Sequence, residues 1–173
     1  MRIELDRLQE TGDRFAHRYE PAELVLDEEH ARLTEPPEVT GRVQTSGHEV
    51  RLRGQLTARA EVDCGRCLKS VAVPVETEFD VTYVPEADYR ESEAAELREE
   101  DLSLSVFDGE TIDVDELVRE QLLLALPARA LCTEECKGLC PVCGADRNSD
   151  ACHCETKEVD PRWAGLKAMR NDE

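Results

Sequence analysis

Eight cysteines in 173 residues fall into pairs with the spacing of metal ligands, and no other feature restricts the fold so strongly. Cys64-Gly65-Arg66-Cys67 stands alone in mid-chain. Cys132, Cys136, Cys140, Cys143, Cys152 and Cys154 crowd into 23 residues near the C-terminus. Intervals of one to three residues let a short loop aim two sulfurs at one tetrahedral ion, and eight thiolates divide into two sites of four. Cys140-Pro141-Val142-Cys143-Gly144 has the form of a zinc-ribbon knuckle, a tight turn that points backbone N–H groups at the sulfurs. Its closing glycine accepts the backbone angles such a turn needs. With Cys152-His153-Cys154 it composes one closed site.

Cys64, Cys67, Cys132 and Cys136 remain for a second site, although spacing alone does not fix connectivity. The cofactor expected is Zn²⁺, as two structural ions. Residues 138–158 hold too few apolar side chains to order themselves without metal.

The compartment bears on this chemistry. No apolar run approaches the thickness of a bilayer, and Met1-Arg2-Ile3-Glu4-Leu5-Asp6 is not a secretory signal, so a cytoplasmic protein without a membrane partner is expected. Cytosolic thiols stay reduced, which favours metal over disulfide. A catalytic metal keeps an open coordination position, whereas sulfur is abundant here. His17, His30, His48 and His153 are scattered singly, and no phosphate loop or nucleophile elbow is present. The reading is therefore not an enzyme. A thiol redox or metal-delivery role for Cys64-x-x-Cys67 is a rival, but it calls for a strand-to-helix setting.

Period-two alternation supplies the fold. From Val50 to Cys64 the even positions are apolar (Val50, Leu52, Leu56, Ala58, Ala60, Val62) and the odd ones polar, which predicts a long strand with one buried face. Gly54 interrupts the buried set and suggests a bulge. Val71, Val73, Val75, Phe79, Val81 and Tyr83 predict a second strand, with Pro74 at an edge and Cys64–Lys69 as the hairpin connection. Val39–Gln44 is expected to pair with the first strand, and Ile3–Leu8 to form a short one. Thr34-Glu35-Pro36-Pro37 reads as a breaker.

Residues 86–120 hold 14 acidic residues against three arginines, and Glu86–Asp101 reads as a solvated linker. A strand pair is expected about Asp108-Gly109. A helix follows from Asp113 to about Ala125 with Val114, Leu117, Val118, Leu122 and Ala125 facing the core, widened by Leu123, Leu124 and Leu126. A terminal helix is expected from Asp160-Pro161, carrying Trp163, Leu166 and Met169 on one face.

The fold class is α+β: an antiparallel β-meander or barrel-like sheet, one main helix, and a cysteine-rich zinc-ribbon-like C-terminal segment. The expected organisation is a lead-in over 1–37, the sheet with acidic linker and Leu-rich helix over 38–131, and a zinc-binding tail over 132–173.

Charge narrows the partners. Forty acidic residues against 21 basic ones give a formal net charge of −19, which thiolate ligation of two zinc ions takes to about −23. Such a chain does not bind nucleic acid through its overall field but attracts basic proteins. Residues 40–70 run the other way, with six basic residues against three acidic. Arg51, Arg53 and Arg59 share one strand face beside Arg66 in the hairpin. They are candidate RNA contacts, on a face without aromatic side chains for base stacking.

One ordered set of motifs carries a resemblance. Cys64-Gly65-Arg66-Cys67-Leu68 is followed by an acidic stretch and a helix ending in Leu126-Pro127. Then come Cys132-x3-Cys136-Lys137-Gly138-Leu139-Cys140-Pro141-x-Cys143-Gly144, Cys152-x-Cys154 and Asp160-Pro161-Arg162-Trp163-x-x-Leu166. From about residue 38 onward this resembles the bacterial YceD family, the large ribosomal RNA subunit accumulation proteins. Gly144-Ala145-Asp146-Arg147-Asn148 departs from the family's frequent Gly-x-Asn-Leu-Asn at the first Asn. The resemblance implies a cytosolic, non-enzymatic factor in ribosome biogenesis, needed for normal levels of large-subunit (23S) ribosomal RNA. Its expected partner is a large-subunit precursor or a basic ribosomal protein. A zinc protein that contacts rRNA directly is the alternative.

Overall fold

A computed structural model describes residues 1–8, 12–26, 28–92, 103–154 and 162. The expected terminal helix with Trp163, and the acidic run after residue 92, lie outside the described residues.

Three long strands make the body. β3 (Ala31–Ser46), β4 (Glu49–Asp63) and β5 (Ser70–Pro85) form an antiparallel meander, and β2 (Asp13–Arg18) adds to the free side of β3. The alternation in β4 behaves as the sequence predicts. Val50, Leu52, Leu56 and Ala60 are buried, whereas Arg51, Arg53, Gln55, Thr57 and Arg59 are exposed.

Helix α1 (Glu86–Ser92) begins a crossover that returns as β6 (Leu104–Phe107), and β6 lies parallel to the last four residues of β5. Parallel pairing requires such a long connection, so the start of the presumed linker is part of the topology. The sheet, ordered β2-β3-β4-β5-β6, is open rather than barrel-like. Its outer strands β2 and β6 have six and four residues, too short to close a barrel around the three long ones. Pro74 lies where β5 has only β4 beside it, so its missing N–H breaks no ladder.

A second, two-stranded sheet joins β1 (Arg2–Glu4) to β7 (Thr111–Asp113). The expected strand pair about Asp108-Gly109 is thus two strands in different sheets. Asp108 caps the turn between them by accepting from the Glu110 and Thr111 N–H groups, both at 2.8 Å. The predicted N-terminal strand is shorter than expected, because β7 offers only three partners and the chain then enters a 3₁₀ turn over Leu5–Arg7.

Helix α2 (Val114–Ala125) starts where capping chemistry demands. The Asp113 carboxylate accepts from the Asp115 and Glu116 N–H groups, and the helix ends before Pro127. Val114, Leu117, Val118 and Leu122 are buried against the sheet's apolar face, in a core with Val39, Val43, Leu52, Leu56, Phe79 and Tyr83. Leu126 packs on that core, but Ala125, expected to face it, is exposed, and Leu123 and Leu124 turn outward, Leu124 being 78% exposed. Their positions fall on the helix's outer side, where the sheet does not reach. The Tyr19 hydroxyl donates to Asp115 Oδ1 at 2.8 Å and ties the end of β2 to the helix's first turn.

Two expected interruptions are absorbed within strands. Thr34–Pro37 lies inside β3, where the β3–β4 register shifts twice, so the prolines occupy a bulge instead of ending the strand. Gly54 marks no bulge: its register with Gly41 and Phe79 is unbroken. The reason for the glycine is space. A Cβ there would lie 2.2 Å from the Thr40 carbonyl oxygen and 2.6 Å from the Phe79 ring. Gly41 is filled in the same way by Phe15, so the aromatic rings cover the glycine pair from both sides.

Candidate metal centres

The hairpin between β4 and β5 folds as a knuckle, and so does Cys140–Ala145; the two are built alike. Cys64 N–H donates to the Lys69 carbonyl and Cys140 N–H to the Ala145 carbonyl, both at 2.8 Å. Leu68 N–H donates to the Cys64 carbonyl and Gly144 N–H to the Cys140 carbonyl, both at 2.9 Å. The residue after each second cysteine is left-handed, with φ of 59° at Leu68 and 75° at Gly144. Sequence reasoning recognised the second knuckle by its glycine. The first is disguised because Leu68 takes the glycine's place.

These knuckles gather all eight cysteines into two clusters, Cys64/Cys67/Cys132/Cys136 and Cys140/Cys143/Cys152/Cys154, with the sulfurs of each within 4.8 Å of one another. The partner of the hairpin pair, left open by spacing, is thus Cys132 and Cys136. Cys64 and Cys136 sulfurs lie 3.9 Å apart, Cys67 and Cys132 3.6 Å, and Cys143 and Cys152 3.6 Å. A disulfide requires about 2.05 Å. Four sulfurs at about 2.3 Å from a tetrahedral ion are separated by roughly 3.8 Å. The spacing therefore fits a metal centre, and each cluster can hold one ion.

The electrostatics agree. The Cys64 sulfur accepts the Cys132 N–H at 3.4 Å, and amides of its own knuckle help pull its pKa down to about 6. Cys140 is likewise lowered to about 6 by the amides of Cys143 and Val142, the latter at 3.4 Å. Ionisation of Cys67, Cys132, Cys152 and Cys154 is opposed by neighbouring sulfurs. Cys154 is pushed up to about 12 by the sulfurs of Cys143 and Cys152. At Cys67 the Lys69 N–H pulls downward, but burial and three adjacent sulfurs raise the thiol to about 12. Four thiols so placed need a cation before all can be thiolates.

The first cluster is the more enclosed. Cys64, Cys67 and Cys136 are buried, whereas in the second only Cys140 is. The first also joins distant parts of the chain. Arg66 Nη1 donates to the Glu134 and Cys136 carbonyls at 3.1 and 2.7 Å, while the Arg66 carbonyl accepts the Leu139 N–H at 2.9 Å. Lys69 Nζ lies 2.6 Å from Asp146 Oδ2, which with the Asn148 N–H holds the Asp146 carboxyl at a pKa of about 2. Lys69, Asp146 and Asn148 were not read as site residues from sequence: Lys69 meets Asp146 only where the hairpin and the tail come together, and Asn148 reaches Lys137, Cys136 and Asp146 only once the tail has folded on itself.

The four arginines expected to contact RNA do not form one site. Arg51 makes a bidentate pair with Asp80, both bonds at 2.7 Å, and Arg53 Nε lies 3.0 Å from the same carboxylate. Arg59 faces Glu35 at 3.4 Å, and Arg66 braces the first cluster.

A sheet-and-helix body joined to its tail at one tetracysteine cluster, with a second cluster closed within the tail, defines a protein with two candidate thiolate metal centres. The chain belongs to the YceD family: the model described as "Large ribosomal RNA subunit accumulation protein YceD" matches residues 52–170. An uncharacterised protein of Mycobacterium tuberculosis is 34% identical over 132 residues, covering 76% of this chain and 61% of the relative. The chain thus spans about three fifths of the length of the mycobacterial relatives it matches. The uncharacterised protein YlbN of Bacillus subtilis is 24% identical over 172 residues, covering 98% of this chain and 95% of its own. A "Large ribosomal RNA subunit accumulation protein YCED homolog 1, chloroplastic" of Arabidopsis thaliana is 34% identical over 59 residues, covering 34% of this chain and 18% of its own. No solved structure matches the chain significantly. Among the described residues no helix is long and apolar enough to cross a membrane.

Proposed function

We propose that this protein is a non-enzymatic cytoplasmic factor in ribosome biogenesis. It supports accumulation of 23S ribosomal RNA by binding a large-subunit precursor or one of its basic proteins. The family match over residues 52–170 carries this reading. Cys64, Cys67, Cys132 and Cys136 would hold one structural zinc ion that fastens the tail to the sheet's hairpin, and Cys140, Cys143, Cys152 and Cys154 a second that closes the tail on itself; each would supply cross-linking and charge neutralisation, with four sulfurs leaving no open position for substrate. The acidic side offered to a basic partner includes Asp108, Glu110, Glu116 and Glu120 on the turn before β7 and on α2. It continues in sequence through Glu93, Glu96, Glu99 and Glu100.

One preparation tests the reading. Elemental analysis of the native protein is expected to give two zinc ions per chain, falling to one in a Cys143→Ser/Cys154→Ser variant. Gradient fractionation of cell extract is expected to place the protein with large-subunit precursors, and its deletion to lower 23S relative to 16S RNA. A protein found only at the top of the gradient, with normal 23S levels after deletion, would overturn the function while leaving the metal result intact.

A further inference from the structure

The wet face of the large sheet carries a row of arginines. Register sets Arg14 opposite Arg42 and Arg42 opposite Arg53, with Asp80 next in line on β5. Neighbouring strands lie about 4.8 Å apart, so the three basic residues span only roughly 10 Å. Like charges directly opposite one another destabilise a sheet. Relief exists at one end alone, where Asp80 holds Arg53 and Arg51. The Arg14 and Arg42 side chains are exposed and make no hydrogen bond or ion pair among the described residues, in a chain with 40 acidic residues to supply one.

The row is one wall of a trough running across the strands. Its floor is the backbone of the Gly41–Gly54 row, and its other wall presents Thr40 and Gln55, also paired in register. The depression is open and about 800 Å³ in volume. Guanidinium groups take phosphate oxygens in bidentate fashion. A hydroxyl and a carboxamide opposite offer donors and acceptors to ribose and base edges. Asp80 and Glu78 close the trough at β5, limiting the bound segment to a few phosphates. At physiological salt the screening length is about 8 Å, so the distant acidic residues do not cancel this local field.

We propose that the trough binds the phosphodiester backbone of single-stranded RNA, with Arg14 and Arg42 as free phosphate ligands and Arg53 fixed beside them by Asp80. This deepens the ribosome-assembly reading and rests on it for its cellular meaning.

The test uses the metal-loaded full chain and a fluorescent 12-nucleotide single-stranded RNA, with anisotropy read across a salt series. An Arg14→Ala/Arg42→Ala variant is expected to lose affinity at least tenfold. Its slope of log affinity against log salt should become shallower by about 1.4, from two phosphate contacts at about 0.7 each. Its melting temperature should hold or rise, because a repulsive row has been thinned. An Arg18→Ala/Arg32→Ala control removes arginines paired with Glu38 and Glu61 outside the trough, and should bind within twofold of the parent. Absence of binding by the parent at 50 mM salt, or equal loss in the control, would overturn the proposal. Competition by a poly-glutamate peptide as effective as by RNA would assign the trough to an acidic protein segment instead. None of these outcomes alters co-sedimentation with ribosomal precursors, so the trough and the assembly role can fail separately.

Discussion

The Asn148 side-chain nitrogen donates to the sulfur of Cys136 at 3.4 Å, although Asn148 belongs to the loop between Cys143 and Cys152 of the other cluster. Its Oδ1 accepts the Lys137 N–H at 2.8 Å, and its Nδ2 also reaches Asp146 Oδ1 at 2.7 Å. A loop closed by the second centre therefore clamps a ligand of the first, and Asp146 passes the connection on to Lys69 beside the hairpin.

Removing that clamp should loosen the enclosed centre from outside it. Asn148→Ala is expected to weaken metal binding at Cys64/Cys67/Cys132/Cys136 by roughly 10- to 100-fold, the usual effect of losing a group that supports a ligand. Metal release to a chromophoric chelator would show one ion per chain leaving faster. Unchanged release of both ions would show that Asn148 merely fills the loop.

Leu68 occupies a left-handed position where its twin knuckle has Gly144, and it is 59% exposed, so little packing compensates. Left-handed geometry costs an ordinary residue about 1–2 kcal/mol, and glycine's extra freedom when unfolded returns part of that. Leu68→Gly should thus raise stability by up to about 1 kcal/mol with both metals retained. Gly144→Val should lose about 1–2 kcal/mol. Urea denaturation of the metal-loaded proteins measures both.

Gly54→Ala tests the glycine–aromatic row. The added methyl meets the Thr40 carbonyl at 2.2 Å, a backbone atom that cannot swing away. A loss of about 1–3 kcal/mol is expected from overpacking, despite the better strand propensity of alanine. A neutral result would require the β3–β4 spacing to yield.

Asp80 gives a pH signature. Its hydrogen bonds from Arg51 outweigh partial burial, and with Arg53 nearby they hold the carboxyl below its ordinary range. The unfolded chain then binds the proton more readily. The stabilisation is complete above the unfolded value of about 3.9 and is lost as pH falls through the lower folded value. The stability difference between the parent and Asp80→Asn should accordingly shrink from about pH 4 downward. A difference that stays constant through that window would remove the ion pair as its cause.

Local patterns were legible where a local cause sufficed. Alternation in Val50–Val62 gave the buried face of β4, and the Asp113 cap with the spacing of Val114, Leu117, Val118 and Leu122 gave α2. Cysteine intervals gave the ligand pairs, since a tight turn presents two sulfurs whatever surrounds it. These features depend on neighbours within a few residues, which is the range over which side-chain period and turn chemistry act.

Tertiary structure decided what joins what. It brought Cys132/Cys136 to the hairpin, set β6 parallel to β5, sent β7 to β1, and lined up Arg14, Arg42 and Arg53. The breaker at Pro36-Pro37 became a bulge because β4 continued alongside it. Each outcome follows from register between segments tens of residues apart. A shift of one residue would reverse every face, and what fixes it is the simultaneous burial of both partners rather than any property of one stretch alone.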